Sequence, residues 1–252
     1  MTQSTPTQDA ALVTMAKWVS TIADNIRNPI SGISAALSIL EHQLQTSSTS
    51  QDRTAPLVDD ALIRIRGRLT SLSEYVSELI DFAKPAVIHL QPTDLATVII
   101  AAESQTKAAL PGIHTDIVLT ERAVTLKADQ ERLRIVLAGI IRNAGEAAMT
   151  TSCANKPMVM ISLIRSRERV TIAVADNGPG FTDQAIKHAC EPFFSTKEAG
   201  TGLGLAVAAK VARAHGGEIT IGRSESLGGA KVSLHLPDIK HGYQDHKSLT
   251  VP

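Results

Sequence analysis

The sequence predicts two successive architectures: a helical hairpin that pairs with a second copy as an antiparallel four-helix bundle, then a two-layer α/β sandwich. Three observations predict this. Apolar residues recur three and four apart along two long stretches before residue 80, and after residue 87 short alternating runs take turns with helical ones. Between them stands Phe82-Ala83-Lys84-Pro85, where proline pushes its predecessor out of the α region and ends the second helix.

Residues 1–8 are polar, contain Pro6 and are expected to be a disordered lead. Residues 9–84 form the hairpin. Its first helix carries Leu12, Met15, Val19, Ile22, Ile26, Ile30, Ile33, Leu37, Leu40 and Leu44, with one doubled step of four around Asn28-Pro29, where the missing proline N–H kinks or adjusts the helix. A Ser/Thr-rich turn over residues 46–56 follows. The second helix repeats the rhythm at Val58, Leu62, Ile65, Leu69, Leu72, Val76 and Leu79. Neither helix can bury its stripe alone, so the hairpin is expected to be a homodimer.

Residues 85–238 supply the sandwich. Strands are predicted at 87–90, 117–119 and 123–126, helices at 94–110 and 129–149, and a hairpin at 158–164 and 170–175. A helix over 203–215 stops at Gly216-Gly217, and final strands lie near 218–221 and 230–236. Residues 239–252 are predicted to be a polar tail.

Composition narrows the function. The 252 residues carry 25 basic and 25 acidic side chains, so no overall field recruits nucleic acid or an anionic membrane. No apolar run reaches the roughly 20 residues that a membrane span needs, and no signal peptide opens the chain. Cys153 and Cys190 are too few for a disulfide framework, so a reducing cytoplasm is the expected location.

The chemistry concentrates between residues 143 and 205. Asp176-Asn177-Gly178-Pro179-Gly180 follows a β-branched strand, and Gly200-Thr201-Gly202-Leu203-Gly204 opens a helix. Glycine lets backbone N–H groups approach a ligand, and a helix N-terminus favours an anion, so the second cluster is either a phosphate seat or only a turn. Upstream, Asn143 sits just off the apolar side of an amphipathic helix, where its amide oxygen can coordinate Mg²⁺ between nucleotide phosphates.

In this order, Asn143, Asp176 to Gly180, Phe193-Phe194 and Gly200 to Gly204 resemble the ATP-binding domain of sensor histidine kinases, over roughly residues 90–237. The resemblance implies a Bergerat-type domain that binds ATP or ADP with Mg²⁺. Asp176 would accept from the adenine amino group, Gly178 and Gly180 would let the backbone pass close under the base, and Asn143 would hold the metal. Lys197 would meet a β or γ phosphate or remain a solvated loop lysine. Arg142 would touch phosphate or cover the helix surface, and Phe193 and Phe194 would anchor the lid or fill core.

Within the first helix, residues 26–33 resemble the segment after the phosphorylated histidine of the same kinases, whose pattern is His-Glu-x-x-Asn-Pro. Here Asp24 and Asn25 stand at the two reactive positions. An imidazole can attack phosphorus through one nitrogen while a carboxylate takes the proton from the other, whereas an aspartate would meet the phosphate with like charge and Asn25 is no base. Autophosphorylation on Asp24 is therefore not expected, and His42 is a poor substitute. Asn28 keeps the position associated with dephosphorylating a response regulator, or merely tunes the kink. A turn before Asn143, where the kinases commonly have asparagine and the related gyrase, MutL and Hsp90 ATPases a glutamate, this chain has Gly139.

Three classes follow: a degenerate kinase acting as an ATP-responsive scaffold or regulator of a partner histidine kinase or a receiver domain; an enzyme, either a regulator phosphatase using Asn28 or a kinase acting on another chain's histidine; and a structural dimerisation module with a vestigial pocket.

Overall fold

The computed structural model describes residues 6–46, 51–121, 124–150, 156–197 and 200–238; side chains of residues 6–17, 41–46, 51–57 and 74 are not described. The start of the expected lead, the centre of the Ser/Thr turn, Cys153 and the polar tail lie outside these residues. So do the side chains of Leu12, Met15, His42 and Leu44. The chain divides into two compact units that meet at Asp81 and Phe82.

The first unit is built on α1 (Pro6–Thr46) and α2 (Gln51–Ala83). Helix α1 begins at Pro6, inside the expected lead, and runs through Pro29 without interruption. The predicted stripe splits into two faces. Ile22, Ile26, Ile33, Ile65, Leu72 and Leu79 are partly covered within the hairpin, and Ala36, Ala61 and Tyr75 are buried there. Val19, Ile30, Leu37, Leu62, Leu69 and Val76 remain exposed. No described helix is long and apolar enough to cross a membrane.

The second unit contains β1 (Gln91–Asp94), α3 (Leu95–Ala109), β2 (His114–Leu119), β3 (Thr125–Ala128), α4 (Gln130–Thr150), β4 (Met158–Arg165) and β5 (Arg169–Asp176). Then come α5 (Asp183–His188), α6 (Gly204–Ala214), β6 (Glu218–Arg223) and β7 (Ala230–Pro237). Five strands form a mixed sheet in the order β2-β4-β5-β7-β6, parallel only between β2 and β4. Alternation along β4 puts Val159, Ile161 and Leu163 on the core side, where Leu133, Leu137 and Ile140 of α4 join them.

One predicted strand is displaced. Residues 87–90 are not a strand; β1 lies at Gln91–Asp94 and pairs antiparallel with β3, Thr93 opposite Leu126. The pairing, reinforced by the Thr93 hydroxyl donating to the Ala128 carbonyl at 2.9 Å, overrides the β-branched appeal of Val87 and Ile88. Helix α3 is capped by Asp94, whose carboxylate accepts from the Ala96 N–H at 3.1 Å and from the Thr97 hydroxyl at 2.9 Å.

Asp129 fastens the start of α4 to the end of α6. Its Oδ1 accepts from the Arg132 N–H at 2.9 Å and its Oδ2 from the His89 N–H at 2.8 Å. Its own N–H donates to His215 Nε2 at 3.0 Å, so the other ring nitrogen carries the proton and donates to the Val211 carbonyl at 2.8 Å. Burial pushes the Asp129 carboxyl up, but the N–H groups of Arg132 and His89, helped by the Arg132 charge, outweigh it and hold it below the usual range. Burial pushes His215 down.

Candidate functional site

Asp176 is the last residue of β5 and is only 3% exposed. A carboxylate leaves water at a cost unless donors meet it, and here two do: Oδ1 accepts from the Gly178 N–H at 2.9 Å and from the Ala230 N–H at 3.1 Å. Among the described residues Oδ2 has no hydrogen-bond partner, so one acceptor is held in place by the other's anchoring. Burial raises the Asp176 carboxyl above the usual range, against the pull of both N–H donors and of the Lys197 charge. That last influence places the Lys197 ammonium in the same electrostatic neighbourhood.

The turn after Asp176 is fixed by contacts on three sides. Asn177 clasps the start of β4, accepting from the Met158 N–H and donating to the Lys156 carbonyl, both at 2.9 Å. A Cβ on Gly178 would come within 2.7 Å of the Ala147 backbone in α4, so only glycine lets this turn lie so close to the helix. Across the sheet, a Cβ on Gly229 would meet Asp176 Oδ1 at 2.3 Å. Gly229 and Ala230 are contributors that the sequence reading missed; the Gly228-Gly229 pair before the last strand was the available signal.

Helix α4 presents Asn143 half-buried beside its apolar stripe. The lid brings Lys197 to it, Nζ 3.4 Å from Asn143 Oδ1 and 2.5 Å from Glu146 Oε2. Gly204, the first residue of α6, lies against the Asn143 amide, which would be 3.6 Å from an added Cβ. No side chain caps α6, which leaves N–H groups of its first turn for an anionic ligand. Leu203 is fully buried and roots that turn, and the Thr201 hydroxyl accepts from its N–H at 3.3 Å.

Gly202 and Phe193 form the lid's base. Phe193 is the one described non-glycine residue with positive φ, 65°, and its N–H donates to the Gly202 carbonyl at 3.0 Å. Gly202, at φ 68°, approaches so closely that a Cβ would stand 2.5 Å from the Phe193 carbonyl carbon. The Phe193 ring meets Phe82 edge-on at 6.1 Å, and Phe194 lies tilted beside His188 at 5.8 Å. Gly180, at φ 73°, is backed by Gly229, and Gly200 lies on Ser195 within the lid.

The structure thus brings Asn143, Lys197 and Gly204 together, with Asp176 within reach of the Lys197 charge. A buried acceptor aimed by backbone donors, a glycine-lined approach, an uncapped helix end and an amide oxygen suit a nucleotide: hydrogen-bonding base, phosphates, and a hard cation that prefers oxygen. Gly139, one turn before Asn143, has no side chain and so offers neither a base nor a second amide at that position, where an added Cβ would meet nothing within 4 Å.

In the helical unit, Asp24 and Asn28 are exposed, and Asp24 pairs with Arg27 at 3.1 Å. Asn25 does not join them. Its Nδ2 is enclosed in the hairpin with no hydrogen-bond partner, as is the Tyr75 hydroxyl. Burial raises the Tyr75 phenol, partly offset by the nearby Asn25 amide.

Comparison with known proteins gives a consistent result. Residues 128–240 match the family described as histidine kinase-, DNA gyrase B- and HSP90-like ATPase. The signal transduction histidine-protein kinase AfsQ2 of Streptomyces coelicolor is 28% identical over 233 residues, covering 88% of this chain and 41% of that protein. The sensor histidine kinase ZraS of Escherichia coli O157:H7 is 28% identical over 229 residues, covering 90% of this chain and 47% of the relative. The chain therefore spans less than half the length of these relatives. Among solved structures, the histidine kinase ThkA in complex with the response regulator TrrA superposes with a TM-score of 0.70 at 20% identity, covering 91% of this chain and 63% of that one, a likeness of fold.

Proposed function

We propose that this chain, a member of the sensor histidine kinase family, binds Mg-ATP or Mg-ADP between α4, the end of β5 and α6, and acts as a degenerate kinase. It would serve as an ATP-responsive scaffold or regulator of a partner histidine kinase or response regulator, without labelling itself on Asp24. The observation that carries the binding reading is the buried Asp176 carboxylate, one oxygen fixed by Gly178 and Ala230 and the other left for a ligand.

Within that site this chain's own groups have distinct tasks. Asp176 orients the base, the first turn of α6 receives phosphate, and Asn143 offers an oxygen to the cation, which when bound neutralises phosphate charge. The departure lies in the helical unit, where Asp24 is an exposed carboxylate tied to Arg27. It presents negative charge to an incoming phosphoryl group, and its neighbour Asn25 carries an amide, which cannot act as a base and is enclosed in the hairpin. The exposed stripe of Val19, Ile30, Leu37, Leu62, Leu69 and Val76 supports pairing with a second copy.

Calorimetry with Mg-ATP and Mg-ADP tests the binding reading: wild type binds, and Asp176→Asn removes the heat. Incubation with labelled ATP tests the degeneracy, because acid-labile label on the wild-type chain would overturn it. A second reading, a response-regulator phosphatase, is favoured by the exposed Asn28 amide one helical turn from Asp24. Phosphate release from a phosphorylated receiver domain, lost in Asn28→Ala, would select that alternative.

A further inference from the structure

Lys197 leaves the lid and ends on two oxygens of α4, Glu146 Oε2 at 2.5 Å and Asn143 Oδ1 at 3.4 Å. Residues three apart on a helix share a face, so the carboxylate and the amide form a pair of hard oxygen donors aimed at one point. An ammonium already sits on that point. Among the described residues no three His, Cys, Asp or Glu side chains gather as a metal cage. A divalent cation there would be held by few protein oxygens together with phosphates, the usual manner of Mg²⁺.

We propose that Glu146 is a second cation-facing residue beside Asn143, and that the Lys197 ammonium is a tethered place-holder which Mg²⁺ displaces when the nucleotide enters. The proposal rests on the nucleotide reading above and adds to it a residue and an order of events. Both charged side chains are 41% exposed, so the ion pair is screened by water and weak enough to be exchanged. With the ammonium in place, Glu146 is neutralised and the lid is tied to α4. With Mg²⁺ in place, the carboxylate meets a stronger cation, and Lys197 is released toward the phosphates. With neither cation in place, Glu146 faces the phosphates as a like charge and opposes them.

The test is ADP affinity by calorimetry, measured with Mg²⁺ and with a chelator, on the full chain and on Glu146→Gln, which keeps shape and removes charge. The Mg²⁺-dependent gain in affinity is expected to fall about tenfold in Glu146→Gln, because that variant binds more weakly with Mg²⁺ and no more weakly without it. Hydrogen exchange gives a second measurement in the absence of nucleotide. Lys197→Met and Glu146→Gln should each speed amide exchange over residues 193–202, and the double variant should match either one. ADP binding with an unchanged Mg²⁺ gain, or lid exchange unaffected by both variants, overturns the proposal. If wild type binds ADP in neither buffer, the nucleotide reading has failed and this proposal falls with it.

Discussion

Asp24 and Asp176 are the same residue in opposite surroundings, one in each unit. Asp176 is buried at a strand end with two backbone donors on one oxygen; Asp24 is exposed on a helix, answered by Arg27. Burial raises the first, so its ionised form costs stability at neutral pH, and stability returns as pH falls through the raised value toward that of the unfolded chain. A fold keeps such a cost where a ligand offsets it. Nothing comparable surrounds Asp24. The contrast teaches that the two units carry unequal constraint: the sandwich is shaped around its aspartate, and the hairpin merely tolerates one.

The strongest way to break that comparison is to repair the weaker side. In an Asp24→His, Asn25→Glu double variant, acid-labile label from ATP is expected where wild type shows none. A variant that binds ATP yet stays unlabelled would place the defect elsewhere. Next in size is damage to the stronger side. In Gly229→Val, the branched side chain meets Asp176 within 2.3 Å of Oδ1 and 2.4 Å of its carbonyl oxygen, with a loss of about 3 kcal/mol expected in urea unfolding.

A third prediction sharpens the difference between Asp176 and another buried aspartate of the sandwich, Asp129. Asp129→Ala removes a helix cap and should cost about 1–2 kcal/mol at neutral pH. The Asp129 carboxyl is held low, so its contribution is present above the unfolded value and disappears as pH falls through the folded one. His215 is held neutral by burial, so folding disfavours its proton and stability declines below its ordinary value. In unfolding midpoints against pH, the His215 contribution should therefore fade from about pH 6.5 downward, against the opposing gain from Asp176, and the gap between wild type and Asp129→Ala should close below about pH 4. The smallest effect is a gain. Gly139→Ala has open space for its methyl and should stabilise α4 by about 0.5–1 kcal/mol without altering ADP affinity, checked by thermal unfolding and calorimetry.

The sequence revealed the parts whose signal is local. Helix α4, the β4-β5 hairpin and α6 carry strong periodicity and clear stops, and the glycine turns frame the pocket. What depended on distant partners was not legible. Strand β1 is a strand because β3 pairs with it, and Pro92 hid it among apparent turn residues. Helix α5 has six residues, too few for a period, and only the Thr182 cap announces it. Asn25 looked like the neighbour of Asp24 because it is next in sequence, yet one residue is 100° around a helix and turns it toward Tyr75. Glu146 belongs to none of the motifs in the sequence, and only the folded lid gives it a partner.

The backbone N–H groups of Gly229 and Ala230 close on Asp176 from the far end of the chain, Gly229 donating to its carbonyl at 3.1 Å. Every short pattern that advertises nucleotide chemistry ends by residue 205, so a fragment cut just past α6 would advertise the chemistry in full. It would lack one of the two donors to the Asp176 carboxylate and the strand that backs it. Truncation series and swaps between relatives should therefore treat the terminal strand as part of the recognition module, not as trailing scaffold.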